Sequence, residues 1–203
     1  MKNIRNVIFD LGGVLFNINF SLTEKAFTEL GVRDFSSFFT QFHSNDLFVK
    51  LETGVDEDLF YDDFRTATGL QLSNDQIRDA WNALLLDFRM ASIAVLPELK
   101  SRYNLYLLSN TNEIHMQEFH RIYRTLFAES SFDDLFHAAY YSHRIGHRKP
   151  NAGAFEFVLK KHALVAEETL FIDDSINNIE AAQKLGIQTV HLLPGMKIEE
   201  LGL

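Results

Sequence analysis

Apolar positions along this chain follow two rhythms, one strand-like and one helical. The run Val7-Ile8-Phe9 reads as a buried strand that ends in Asp10 and breaks on Gly12 and Gly13, so a carboxylate is delivered to the rim of a sheet. From residue 21 to about 93 the spacing is helical throughout. Ser21-Leu22-Thr23-Glu24 has the capping-box form of a helix start, and Gly31 stands where that helix should stop. Phe35, Phe38, Phe39 and Phe42 form one further apolar face, and Leu59, Phe60, Phe64 and Ala67, closed by Gly69, form another. Ser73-Asn74-Asp75-Gln76 repeats the capping box ahead of Ile77, Trp81, Leu84 and Leu85 at helical spacing. No strand is expected in this stretch.

From Leu96-Pro97 onward strands and helices alternate. Strands are expected over 104–108, 138–141, 169–172 and 188–192; helices over 114–127, 152–162 and 176–185, the last closed by Gly186. Alternation requires crossover connections, hence a parallel sheet covered by helices on both faces. The expected fold class is therefore α/β, a doubly wound, Rossmann-like parallel sheet carrying an inserted helical cap. Residues 1–15 and 94–203 would form the α/β core, and 16–93 the cap inserted after the first strand. No repeat, low-complexity tract or long linker interrupts this plan.

Composition narrows the function classes. At 203 residues, with 46% hydrophobic content and 19 phenylalanines, the chain can bury a core and a smaller appendage. A net charge of −9 with no offsetting basic run argues against nucleic acid as the main partner. The absence of cysteine excludes disulfides and thiolate metal sites, and fits a reducing compartment. The apolar run after Met1 is too short for a signal peptide, and no stretch approaches the roughly 20 apolar residues of a membrane span. A soluble, cytoplasmic protein that is monomeric or weakly homodimeric is expected.

Ligands of an open parallel sheet bind beyond the carboxyl ends of its strands. Those ends carry Asp10; Ser109-Asn110-Thr111-Asn112; Arg148-Lys149-Pro150; and Asp173-Asp174-Ser175 followed by Asn177 and Asn178. Asp10 with the Asp173-Asp174 pair would crowd like charges, which is costly unless a cation joins them. A hard divalent ion is the natural one, and Mg²⁺ suits a site with few carboxylates that also takes a phosphate oxygen. Ser109, nearby backbone N–H groups and Lys149 would bind the remaining phosphoryl oxygens. Asp10 would attack phosphorus.

At these positions the chain resembles the haloacid dehalogenase superfamily, whose members show a strand ending in Asp-x-Asp, then a Ser/Thr strand end, a Lys and an acidic pair in that order. The matching segments are Phe9-Asp10-Leu11-Gly12, Ser109-Asn110, Lys149-Pro150 and Asp173-Asp174. The finer pattern is most similar to α-D-glucose-1-phosphate phosphatases and to the phosphatase domain of soluble epoxide hydrolases. The resemblance implies a Mg²⁺-dependent phosphatase of a small phosphorylated metabolite, with a sugar phosphate such as glucose 1-phosphate favoured. It implies Asp10 as nucleophile, Ser109, Asn110 and Lys149 as phosphate binders, and Asp10, the Gly12 carbonyl, Asp174 and Asp173 around the metal, Asp174 more directly than Asp173.

The pattern breaks at Gly12, where the family's second aspartate usually protonates the leaving group. General acid–base help is typically worth about 10²–10⁴-fold, so its loss favours good leaving groups such as an anomeric oxygen. Water, or a cap residue such as His43 or Asp46, would fill the role. Two other readings stay open: a metal-independent 2-haloacid dehalogenase, which the intact acidic pair opposes, and a binding protein that lost its acid. A signalling receiver domain gathers similar groups in a different order. The loop from His143 to Arg148 is a local basic loop near the site, read as a solvated feature in preference to one that attracts anionic substrate, and most of the eight histidines are expected to be surface or core-edge residues without metal spacing.

Overall fold

The computed structural model describes residues 3–38, 46–54, 56–128 and 130–203. In chain order these residues form β1 (Asn6–Phe9), β2 (Phe16–Ile18), α1 (Phe20–Glu29), α2 (Phe35–Phe38), α3 (Asp46–Leu51), α4 (Glu57–Thr68) and α5 (Asn74–Asn82). There follow β3 (Leu85–Phe88), α6 (Met90–Arg102), β4 (Asn104–Ser109), α7 (Glu113–Leu126), β5 (Ala138–Tyr141) and α8 (Ser142–Ile145). The chain closes through α9 (Ala152–Lys161), β6 (Thr169–Asp173), α10 (Ile176–Lys184) and β7 (Gln188–His191).

β1 is the middle strand because all of it is buried and both its edges are paired. The order is β5-β4-β1-β6-β7, and every adjacent pair runs parallel. The expected α/β doubly wound sheet is the fold. Residue alternation sends the strands' side chains into two cores. Val7, Phe9, Leu105, Leu107 and Ile172 pack on one face with Leu96, Leu99 and Phe119. Ile8, Tyr106, Leu108 and Phe171 pack on the other with Phe155, Val158 and Ile179. After β1 the chain passes to β4 and outward to β5, then returns to β6 on the opposite side. That divergence opens a crevice above β1, which is where Asp10 sits.

The inserted helices carry their own apolar cluster, with Phe27, Phe35, Phe48, Phe60, Phe64, Ile77 and Trp81, joined by Ile114 at the start of α7. Phe48 lies flat on Trp81, ring centroids 4.7 Å apart. The Phe-rich segment thus serves largely as packing; Phe39 and Phe42 lie outside the described residues.

Two local expectations are corrected. The insert is not purely helical, since β2 and β3 pair antiparallel, Phe16 opposite Phe88 and Ile18 opposite Leu85. The apolar residues of β3 continue the helical spacing of α5, and the paired residues are far apart along the chain. Leu84 and Leu85 keep helical spacing from Trp81, yet α5 stops at Asn82. The first helix is capped by Asn19 rather than Ser21; the Asn19 side chain accepts from the Ser21 N–H at 3.1 Å. Thr23 is drawn inward instead, where its hydroxyl donates to the Trp81 carbonyl and accepts from the Leu84 N–H, both at 3.1 Å. The second capping box, Ser73 with Gln76, forms as expected.

Candidate active site

Asp10 leaves β1 still in register, its N–H donating to the Ile172 carbonyl of β6 at 2.9 Å. The chain then reverses in a tight turn in which the Leu15 and Phe16 N–H groups donate to the Leu11 carbonyl at 2.8 and 2.9 Å. Gly13 has φ 70°, and a Cβ there would overlap the Asp174 carboxylate. Glycine at 13 is thus what lets the turn lie against Asp174. At Gly12 a Cβ would stand 2.9 Å from the Cδ1 of Ile18, so an apolar side chain fills the space an acid would use.

Ser109 ends β4 and is buried. The loop after it is locked by reciprocal bonds. Thr111 N–H donates to Ser142 Oγ at 3.0 Å, and the Ser142 hydroxyl donates to the Thr111 carbonyl at 2.9 Å. Asn110 makes the same kind of clamp on Lys149: its Oδ1 accepts from the Lys149 N–H and its Nδ2 donates to the Lys149 carbonyl, each at 2.8 Å. The side chain of Asn110, a residue expected among the phosphate binders, thus holds the lysine backbone in place. One of the two Nδ2 protons remains for a ligand.

Lys149 is buried, and its Nζ donates to Asp10 Oδ1 at 2.8 Å and to Asp173 Oδ2 at 2.7 Å. Asp173 is also buried and accepts further bonds from the Ser175 N–H at 2.8 Å and from Asn178 Nδ2 at 3.1 and 3.0 Å. Its oxygens are thereby saturated with donors. Asp174 points toward the Gly13 turn instead. One oxygen from each of Asp10, Asp173 and Asp174 lies within 4.8 Å of the other two.

Three carboxylates against one ammonium leave excess negative charge in a largely buried place. Burial pushes the Asp10 carboxyl up to about 7, opposed by Lys149 and assisted by Asp173 and Asp174. Asp174 is raised by burial and then by Asp173. For Lys149 burial disfavours the charge, but Asp10 and Asp173 outweigh it and hold the ammonium above its usual range. A hard divalent cation with oxygen ligands would relieve this repulsion, so the donor set fits Mg²⁺.

These groups floor a cavity of about 210 Å³. Much of its wall is apolar, built from Phe16, Ile18, Phe20, Leu84, Leu85 and Phe119. Its rim carries an ion pair between the insert and the core, Glu52 to Arg148 at 2.8 Å. Burial raises the Glu52 carboxyl despite that guanidinium.

Asp10, Gly12, Ser109, Asn110, Lys149 and Asp174 all line this cavity, with Asp173 directly behind Lys149. His43 and the side chain of Asp46 lie outside the described residues. The basic loop is largely neutralised rather than aimed at a ligand: His143 and Arg144 pair with Glu113 at 3.1 and 3.5 Å, and Arg148 with Glu52. His115, given no individual role by the sequence, is buried and part of the cavity wall. Asn178, Glu52 and the apolar wall were not assigned by sequence reasoning. Asn178 alone left a trace, as an amide one helical turn beyond the acidic pair.

A family model described as haloacid dehalogenase-like hydrolase matches residues 4–186. The chain is similar to D-ribitol-5-phosphate phosphatase of Bacteroides thetaiotaomicron, 30% identical over 192 residues, which cover 92% of this chain and 90% of the relative. It is also similar to a sesquiterpene phosphatase of Aspergillus oryzae, 32% identical over 189 residues, 91% of this chain and 88% of the other. Among solved structures, a haloacid dehalogenase family enzyme of Bacteroides thetaiotaomicron superposes with a TM-score of 0.92 at 31% identity, covering 98% of each chain. That crystal holds an aspartate-to-alanine variant with magnesium and inorganic phosphate. A predicted hydrolase of the same type from Porphyromonas gingivalis gives a TM-score of 0.87 at 32% identity, over 96% of this chain and 93% of the other.

Proposed function

The chain belongs to the haloacid dehalogenase-like hydrolases, and from that membership we propose that it is a Mg²⁺-dependent phosphatase of a small phosphorylated metabolite, working through an aspartyl phosphate on Asp10. The observation that carries this reading is the convergence of Asp10, Lys149, Asp173 and Asp174 on one crevice. Asp10, the Gly12 carbonyl and Asp174 would hold the metal, with Asp173 beside them anchoring Lys149. Bound there, Mg²⁺ would neutralise phosphoryl charge and draw the Asp10 carboxylate out of its repulsive surroundings.

Asp10 attacks phosphorus, and the P–O bond to the organic group breaks with its electron pair leaving on that oxygen. The departing oxygen takes its proton from water, since position 12 offers no acid. Lys149, the Ser109 hydroxyl and the Asn110 N–H hold the non-bridging oxygens through this step. Water then attacks phosphorus, releasing inorganic phosphate and restoring Asp10. The acidic pair supports phosphoryl transfer over halide displacement, which needs no metal.

The leaving-group argument supports a sugar phosphate such as glucose 1-phosphate, whose anomeric oxygen departs easily. A second reading is favoured by the apolar wall: a phosphate ester of a less polar alcohol, as the name of the Aspergillus relative implies for that protein. Phosphate release from glucose 1-phosphate, glucose 6-phosphate, ribitol 5-phosphate, a prenyl phosphate and an aryl phosphate, with Mg²⁺ or chelator and with Asp10→Asn alongside, tests both. Release that requires metal and Asp10 is expected. No release from any ester by the folded protein overturns the phosphatase reading.

A further inference from the structure

His115 occupies an unusual place for an imidazole. It lies in the first turn of α7, buried, with its ring lying on that of Trp81 from α5 (centroids 4.9 Å apart, 13° between planes). Its main-chain N–H is fixed by the Asn112 cap at 2.9 Å, and its Nδ1 meets Asn82 Oδ1 at 2.8 Å. A carbonyl oxygen only accepts, so Nδ1 carries the proton and Nε2 keeps its lone pair. No partner reaches Nε2 among the described residues, while the ring lines the phosphate-binding cavity. Three contacts, from α5 and from the cap of α7, thus hold one acceptor at a wall that is otherwise largely apolar.

The geometry points to His115 as a specificity-determining residue whose Nε2 accepts a hydrogen bond from a hydroxyl on the carbon skeleton of the phosphate ester. This rests on the phosphatase reading and deepens it: the ester carries a free hydroxyl beyond the phosphate, with its C–H surface against Phe16, Leu84 and Leu85. Burial supports the assignment by pushing the imidazole down to about 3, so the lone pair is not lost to a proton at neutral pH. A neutral acceptor selects a hydroxyl, whereas a cation there would select another anionic group. The same protonation pattern excludes His115 as the missing proton donor to the leaving group, because the nitrogen left without a partner has no proton to give.

The test uses erythritol 4-phosphate and n-butyl phosphate, equal in carbon count and differing in their hydroxyls. Trp81 is the sole tryptophan of the chain and borders the cavity, so its fluorescence reports binding directly. Titrations are made in the Asp10→Asn background, with Mg²⁺, so that binding is read apart from turnover. Preference for the hydroxylated ester is expected, and His115→Phe, which keeps the stacked ring but removes both nitrogens, should cut that preference about tenfold. His115→Gln, whose side-chain oxygen can reach the Nε2 position, should restore part of it. Equal weakening of both esters by His115→Phe would reduce the residue to packing and overturn the proposal. So would unchanged preference, or the absence of any preference or binding before mutation. Failure of the phosphatase reading shows separately, as absent metal-dependent phosphate release by the wild-type protein.

Discussion

The Nζ of Lys149 donates to Asp173 Oδ2 at 2.7 Å with neither side chain reaching solvent. Removing one partner of a buried ion pair leaves the other charge without compensation, typically at a cost of about 3–5 kcal/mol. Lys149→Met should therefore unfold at markedly lower urea concentration in chelator, besides losing phosphate release. A variant as stable as wild type would mean that Asn178 and the Ser175 N–H alone satisfy Asp173.

Asp10 yields a pH prediction whose sign follows from its raised carboxyl. A folded-state value of about 7 against 3.8 when unexposed to these neighbours means that the favourable contribution is complete below about pH 4 and is lost as pH rises through 7. In chelator, Asp10→Asn should gain melting temperature over wild type, and the gain should be larger at about pH 8 than at about pH 5. Saturating Mg²⁺ should shrink it. A difference that does not vary with pH would show that Lys149 compensates Asp10 fully.

Asn110 spends both ends of its amide on the main chain of Lys149. Two neutral hydrogen bonds contribute about 1 kcal/mol each. Asn110→Ala should lower kcat by roughly tenfold or more through a loosened lysine, with a smaller effect on KM. A change confined to KM would instead mark the side chain as a direct phosphate ligand.

Gly12→Asp should raise turnover of an alkyl phosphate, because a proton donor there is typically worth about 10²–10⁴-fold. Ile18 stands in the way, its Cδ1 2.9 Å from where the Cβ must go. The double variant Gly12→Asp, Ile18→Val, which removes that methyl, should gain more than Gly12→Asp alone. No gain in either, measured as phosphate release from n-butyl phosphate, would show that the leaving group's proton is not limiting.

Much of this was readable in the order of residues. From 104 onward the strands were legible from their alternation with the long helices α7, α9 and α10, which show their period, whereas the four-residue α8 was not foreseen. Asp10, Ser109, Lys149 and Asp173-Asp174 were legible for a related reason: a parallel sheet puts every strand's carboxyl end on one side, so polar residues at those ends must converge. The β2–β3 ribbon was not legible, since its pairing joins residues far apart and β3 follows a helix whose apolar spacing runs on into it.

What the chain determined by itself was the fold class and the identity of the groups on the rim, because local periodicity and strand–helix alternation are properties of sequence. The tertiary structure alone decided how those groups divide their hydrogen bonds. Asn110 became a clamp on Lys149, Asp173 an anchor saturated with donors, and Asp174 the acid left facing the Gly13 turn. It also decided that Ile18 fills the space over Gly12 and that His115 lies on Trp81 at the cavity wall. Such assignments depend on distances of 3 Å between elements from remote parts of the chain. Those distances are set by packing, which no spacing along a single chain encodes.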